Sequence, residues 1–389
     1  MRTRNGKTTK IIFAALVLFG FVLALSVSAS AQSLDPKLLW RKEFKWKINS
    51  LDLATESGDV ILSLVSGEII LLNKNGKERF HWGPRVDRGG GAVSISKDGK
   101  YFGFGTGYTE KYAYQKDIDW SADDRIHFYN GQTKKELWNK RNEGTPLIFP
   151  DGKSLISKGF SGGSFYIFGA DGKQIYSYGE ALGIPSFEIS PDSNYFAFVK
   201  DDMQPLILFK RDGTKIWERG RHDSVASISE GASYISTSPY LLVDSYSADA
   251  QESHKGLVYD KSGNIVMKGF GIVTGDGSKI AMLFPEKISI LSLPDGKIIK
   301  EIIAHMSEIF LVSWVSNILF SYDGRYIIIK SKTSMSVYDL LENIYREIPI
   351  SVSELGKYPR FRATRNGQFL LISPDSPRNK SGLYYYQLY

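Results

Sequence analysis

The 389 residues include no cysteine. That removes disulfide frameworks, thiolate zinc sites, thiol nucleophiles and lipid attachment through an N-terminal cysteine. Histidine is scarce, with five in the chain, and none falls in a paired spacing such as H-x-H or H-x-x-x-H that would seed a metal site. Apolar stretches long enough to cross a bilayer are missing beyond the N-terminus, which excludes a polytopic membrane protein. Helical periodicity is nearly absent after residue 31. Charge of one sign is also in short supply, at 49 basic against 42 acidic residues. Gly, by contrast, is abundant at 37, and an aromatic content of 13% with ordinary charge excludes a disordered chain.

The first ten residues hold Arg2, Arg4, Lys7 and Lys10 and no acid. An apolar run from Ile11 to Leu25 follows, then Ala29-Ser30-Ala31. A basic start, an apolar middle and an A-x-A end describe a secretory signal peptide spanning 1–31, with an uncleaved anchor as the alternative. These residues carry four of the seven net positive charges, so the folded portion, 32–389, is only mildly basic at +3. Nucleic acid therefore has no electrostatic footprint here. The expected location is secreted or periplasmic, within the cell envelope, with no membrane span left once the leader is removed.

A turn built on Asp or Asn with Gly recurs between apolar runs. It occurs at Glu56-Ser57-Gly58, Asp98-Gly99, Asp151-Gly152, Asp192-Ser193, Glu230-Gly231-Ala232, Asp276-Gly277, Asp323-Gly324 and Asn366-Gly367. Successive copies, with Ser193 standing for the missing glycine, lie 41, 53, 41, 38, 46, 47 and 43 residues apart. Such turns close tight hairpins, because glycine accepts the positive φ they demand. A second hairpin follows most of them, at Asn75-Gly76, Asp171-Gly172, Asp212-Gly213, Ser262-Gly263 and Asp295-Gly296. Its closing strand often carries tryptophan, as at Trp82, Trp138 and Trp217. Two hairpins per 40–45 residues make one four-stranded blade, so the fold class is all-β, a single β-propeller. The count is eight blades, with seven as the alternative. A sandwich or β-helix fits the period less well. Residues 383–388, LYYYQL, read as a third strand lacking a fourth, and Trp40 sits in a segment patterned like a fourth strand. Pairing the two would close the ring and leave no free sheet edge.

The segment from Ile126 to Gly131 and on to Leu137-Trp138 resembles the repeats of quinoprotein-like propellers, and the Pro-Asp-Gly-Lys and Ser-x-Asp-Gly-Lys turns resemble those of WD-repeat and Tol-system propellers. The resemblance covers residues 37–389 and implies architecture rather than chemistry. Bacterial relatives of this kind include quinone-dependent dehydrogenases and a non-enzymatic outer-membrane assembly scaffold; the lipid-attaching cysteine of that scaffold is missing here.

Strand alternation puts the a–b and c–d turns of every blade on one face and the b–c and d-to-a connections on the other. The second set is longer and richer, and is the expected binding face. One b–c insertion, 105–124, carries Tyr108, Tyr112, Tyr114 and Trp120 among four aspartates; another, 237–255, carries Tyr240, Asp244, Tyr246, Asp249, Glu252 and His254. The d-to-a connections supply Arg85 and Arg88, then Arg141, then Arg219, Arg221 and His222. Converging guanidinium groups would favour an anionic ligand, against which nearby acids offer simple internal pairing. The expected ligand-binding set is Arg85, Arg88, Arg141, Arg219, Arg221, His222, Tyr108, Tyr112 and Trp120, facing a protein or polysaccharide partner.

Enzyme signatures do not hold. Gly159-Phe160-Ser161-Gly162-Gly163 matches G-x-S-x-G, but a strand rather than a helix is expected to follow it. Gly152-Lys153-Ser154 lacks the upstream glycine of a phosphate loop. No catalytic residue and no metal ligand is assigned. No cofactor is expected; Ca2+ and pyrroloquinoline quinone are what the resemblance would bring, and no spacing identifies their ligands. The expected function is an extracytoplasmic binding or scaffolding propeller, the alternative a quinoprotein-like or lyase-type enzyme.

Overall fold

The repeating turn owes its shape to a side-chain pair. In five sheets a Ser or Thr opens the turn and donates its hydroxyl to an Asp or Asn two residues on: Ser96 to Asp98 (2.8 Å), Ser190 to Asp192 (2.6 Å), Thr274 to Asp276 (2.6 Å), Ser321 to Asp323 (2.7 Å) and Thr364 to Asn366 (2.9 Å). The same hydroxyl accepts the backbone N–H five residues ahead, for instance from Tyr101 at 3.0 Å and Tyr326 at 2.9 Å. Polar groups that would otherwise compete with the ladder thus lock the hairpin. Ser193 does occupy the glycine place of the fourth turn, at φ 67°, and its hydroxyl accepts the N–H of Asp151 from the preceding sheet at 3.0 Å.

The computed structural model describes residues 35–83, 89–107, 125–141, 144–158, 164–179, 186–199, 206–219, 228–235, 240–245, 255–268, 271–284, 287–303, 318–330, 334–355, 359–374 and 381–389. Among these the strands form eight four-stranded antiparallel sheets. In chain order they cover 48–82, 89–141, 145–178, 186–219, 228–268, 271–303 and 318–347; the last joins 360–387 to the N-terminal strand Lys37–Phe44. This is a single all-β propeller of four-stranded blades. Helix is confined, among the described residues, to the turn Val352–Leu355, and no described helix is long and apolar enough to cross a membrane. The expected leader, 1–31, lies outside the described residues.

Ring closure runs through the chain ends as expected. Lys37–Phe44 pairs antiparallel with Ser381–Gln387, placing Trp40 opposite Tyr385, and their rings stack with centroids 5.0 Å apart. Tyr385 also donates its hydroxyl to Gly58 O, in the first sheet, at 3.2 Å.

Hydrophobic clusters sit between neighbouring sheets rather than in one central mass. Phe149, Phe165, Phe196, Phe198 and Phe209 join the third and fourth sheets; Ile272, Ile288, Ile290, Ile318 and Ile327 join the sixth and seventh. Each such side chain contributes roughly 1.5–3 kcal/mol on burial. The recurring aromatic of the outermost strand has its own seat, the c–d turn of the next sheet. Trp40 donates Nε1–H to Lys74 O (2.9 Å), and Trp138 to Ala170 O (3.1 Å). Tyr176 covers Gly213, whose φ is +87° and where any Cβ would run into the tyrosine ring. Here glycine is needed twice, for its conformation and for the close approach. Trp217 covers Gly263 in the same way, but its buried Nε1 has no acceptor among the described residues.

The fifth sheet corrects one expectation. Glu230-Gly231-Ala232 is not its a–b turn; it lies within the strand Ile228–Ile235. Pairing with Leu241–Ser245 slips between Ile228 and Ser233, so the glycine serves an irregularity in the ladder, a place where glycine within a strand is often found. Residues 236–239, between this strand and the next, lie outside the described residues. The expected insertion 237–255 is accordingly broken: Asp244 stands in a strand, and the b–c connection shortens to 246–254.

Candidate functional site: the axial channel

The first strand of each sheet contacts the first strand of a neighbour, so these strands surround the axis. Their turns are tied to one another by backbone. Arg365 N–H bonds Thr55 O (2.7 Å), Glu56 N–H bonds Lys97 O (2.7 Å), Lys97 N–H bonds Pro150 O (2.8 Å) and Tyr322 N–H bonds Arg365 O (3.1 Å). Side chains staple the strands just below. Ser50 Oγ accepts the N–H of Val93 (3.2 Å), Asp52 Oδ2 that of Ile95 (2.9 Å), and Ser94 Oγ that of Ile148 (3.0 Å). Inner-strand amides that have no ladder partner are satisfied in this way by the preceding sheet.

Counting back two residues from each turn opening gives a ring of equivalent positions: Asp52, Ser94, Leu147, Glu188, Ile272, Leu319 and Arg362. One arc is polar and the other apolar. Asp52 is well supported, since it also accepts the N–H of Leu53 (2.9 Å) and a bond from Ser94. Burial nonetheless raises its carboxyl above the usual range, against the lowering effect of Arg362 and the backbone N–H groups. Glu188 has no such support. Among the described residues its carboxylate accepts no hydrogen bond, and desolvation pushes it up to about 7, with Arg362 the sole opposing influence. Arg362 donates to Phe361 O (2.9 Å) and forms no direct ion pair with Glu188.

Glu188 opens into a cavity of about 300 Å3. Its walls are Ile189, Ile272, Val273, Leu319, Phe320 and Ala363, and the turn residues Thr55, Lys97, Pro150, Pro191, Gly275, Tyr322 and Arg365 frame it. Two framing cations are already engaged. Lys97 Nζ lies 3.0 Å and Arg365 Nη1 3.3 Å from Glu56 Oε1, and the Arg365 guanidinium rests 3.9 Å from the Tyr322 ring centroid. An apolar chamber holding one carboxyl that has no hydrogen bond or direct ion pair among the described residues, with its titration shifted towards neutrality, is the arrangement expected of a small-ligand site.

This site is on the a–b turn side, not the loop-rich side. Of the residues expected to bind, Arg85, Arg88, Tyr108, Tyr112, Trp120, Arg221 and His222 lie outside the described residues, as do Tyr114, Tyr246, Asp249, Glu252 and His254. Arg141 is exposed at the end of an outermost strand. Arg219, also in an outermost strand, donates twice to Gly263 O at 2.9 and 2.7 Å, so the structure places it against the next sheet's turn. Ser161 is outside the described residues, but the strand Phe165–Gly169 follows it where a nucleophile elbow needs a helix. Among the described residues no three His, Asp or Glu side chains converge as metal ligands. Sequence reasoning missed Asp52, Glu188 and Arg362. Superposing the repeats would have exposed them as charges in a column otherwise filled by Ser, Leu and Ile.

Fold and channel together define a β-propeller of four-stranded blades. Two of the solved structures that share it are similar over most of the chain. The C-terminal WD40 domain of Sif2 is 13% identical, with a TM-score of 0.57 over 90% of this chain and 98% of that one. BamB from Moraxella catarrhalis is 12% identical, with a TM-score of 0.55 over 90% of this chain and 99% of that one. At such identity the likeness is one of fold. No family model matches the chain, and no curated protein does.

Proposed function

We propose that this chain is an extracytoplasmic propeller, each of its eight sheets one blade, that binds or scaffolds a protein or polysaccharide partner through the turn-side mouth of its axial channel. The observation that carries this reading is the apolar cavity containing Glu188, framed by turns from most of the sheets. A rigid ring presenting a recess suits recognition. The basic start and A-x-A end of residues 1–31 support export, and mass spectrometry of the exported form tests cleavage after Ala31. The loop-rich face, with Arg85, Arg88, Arg141, Arg219, Arg221, His222, Tyr108, Tyr112 and Trp120, is a second proposed contact surface.

The two surfaces separate experimentally. Envelope extract is passed over the immobilised protein, over a Leu319→Trp variant that fills the cavity, and over a variant lacking 108–124. A partner retained by the loop deletion and lost by Leu319→Trp supports the channel mouth. The reverse pattern transfers the function to the loops and overturns the channel assignment.

A further inference from the structure

The cavity's charge balance specifies a ligand class, an inference that rests on the cavity being the binding site. Its framing cations, Lys97 and Arg365, are both drawn onto Glu56. Asp52 is not among the lining residues, and its oxygens are taken by backbone N–H groups and Ser94. What remains inside is the Glu188 carboxylate, surrounded by Ile189, Ile272, Leu319 and Phe320; among the described residues it has no hydrogen-bond donor, and Arg362, which is not among the lining residues, acts on it without a direct ion pair. An ionised group held in apolar surroundings without a partner is costly, and a group of opposite charge delivered to it recovers much of that cost. An anion would meet repulsion at Glu188 and find both framing cations occupied. A neutral apolar molecule would gain burial but leave the carboxyl unmatched.

Size narrows the choice. At about 300 Å3 the chamber is at the small end of the ~300–1,000 Å3 range of ligand pockets, which suits one side chain rather than a whole cofactor. We propose that the axial cavity takes a primary ammonium or guanidinium group carried on an apolar stem, as in a lysine or arginine side chain presented by a partner, with Glu188 as its counter-ion and Leu319, Ile272 and Phe320 as the sleeve for the stem. The stem buries its methylenes while the charged head meets the acid, the division of labour long basic side chains favour.

Three probes of matched length test this on the full chain by calorimetric titration at fixed ionic strength: hexylammonium, hexanol and hexanoate. Hexylammonium is expected to bind at least tenfold more tightly than hexanoate. Glu188→Gln is expected to lower hexylammonium affinity at least tenfold while leaving hexanol unchanged, and Leu319→Trp to abolish binding of both. Thermal melts confirm that each variant is folded. If hexylammonium and hexanol bind alike, and Glu188→Gln alters neither, the cavity stands as a site but its cation preference falls. Tighter binding of hexanoate overturns the proposal in the same way. If no probe binds the wild-type chain, the cavity is not a binding site and both readings fall.

Discussion

Two arcs of the same inner ring solve the same packing problem differently. Where the eighth, first and second sheets meet, Arg362, Asp52 and Ser94 fill equivalent positions, and Asp52 and Ser94 each accept a backbone N–H from the next sheet. Where the sixth and seventh meet, Ile272 and Leu319 occupy those positions, and the sheets adhere through an isoleucine-rich cluster. Glu188 belongs to neither pattern. It has the charge of the polar arc but none of the hydrogen bonds that support Asp52. Equivalent backbone places can therefore be spent on structure or left available for a ligand, and hydrogen-bond satisfaction separates the two.

Removing the best-supported acid should have the largest effect. Asp52→Ala leaves the amides of Ile95 and Leu53 without acceptors and removes the carboxylate that Ser94 bonds. An expected loss of about 3 kcal/mol follows from orphaning buried donors, read as a fall in the urea midpoint. Glu188→Gln should act with the opposite sign. Burial raises the Glu188 carboxyl from 4.5 to about 7, so the folded state holds that proton more tightly than the unfolded chain does. As pH climbs from 4.5 towards 7 this group therefore costs the wild-type protein stability, a contribution that the glutamine variant lacks. At pH 4 the two should melt together. At pH 8 the variant should be more stable by roughly 2 kcal/mol, the channel's solvent having reduced the full effect of the shift. Equal melting at both values would show that Glu188 is as well supported as Asp52 and erase the contrast.

Most of this architecture is legible in the chain because hairpin turns are local chemistry. The Ser/Thr-x-Asp/Asn-Gly pattern names the turn residues directly, and Trp40 could be matched to a strand ending near Tyr385 because unpaired edges are costly. Gly231 misled for a related reason: the glycine that permits a tight turn also permits a strand irregularity, and only pairing with Leu241–Ser245 tells them apart. The channel was hidden for a different one. A charge such as Glu188, one residue from Ile189 in a strand, reads locally as ordinary alternation towards solvent. Its exceptional position emerges when sheets far apart in sequence are brought around one axis. Long loops attracted attention by composition, yet composition does not fix where their side chains point.

Ser94 and Ser193 sharpen the comparison at smaller scale, since both serve the N–H of a neighbouring sheet through a hydroxyl. Ser94→Ala leaves Ile148 N–H without its 3.0 Å acceptor and should cost about 1–1.5 kcal/mol, the usual penalty for an orphaned buried donor. Ser193 differs because it also carries strain, at φ 67°. Ser193→Gly relieves roughly 1 kcal/mol of left-handed strain, but forfeits the bond to Asp151 N–H and loosens the unfolded chain. These contributions nearly cancel, so the variant should melt within about 0.5 kcal/mol of wild type. Ser193→Ala keeps the strain and loses the bond, so it should fall clearly below both. If alanine and glycine behaved alike, the hydroxyl would have no part in joining the third and fourth sheets, and the stapling seen around the polar arc would stop at Ser94.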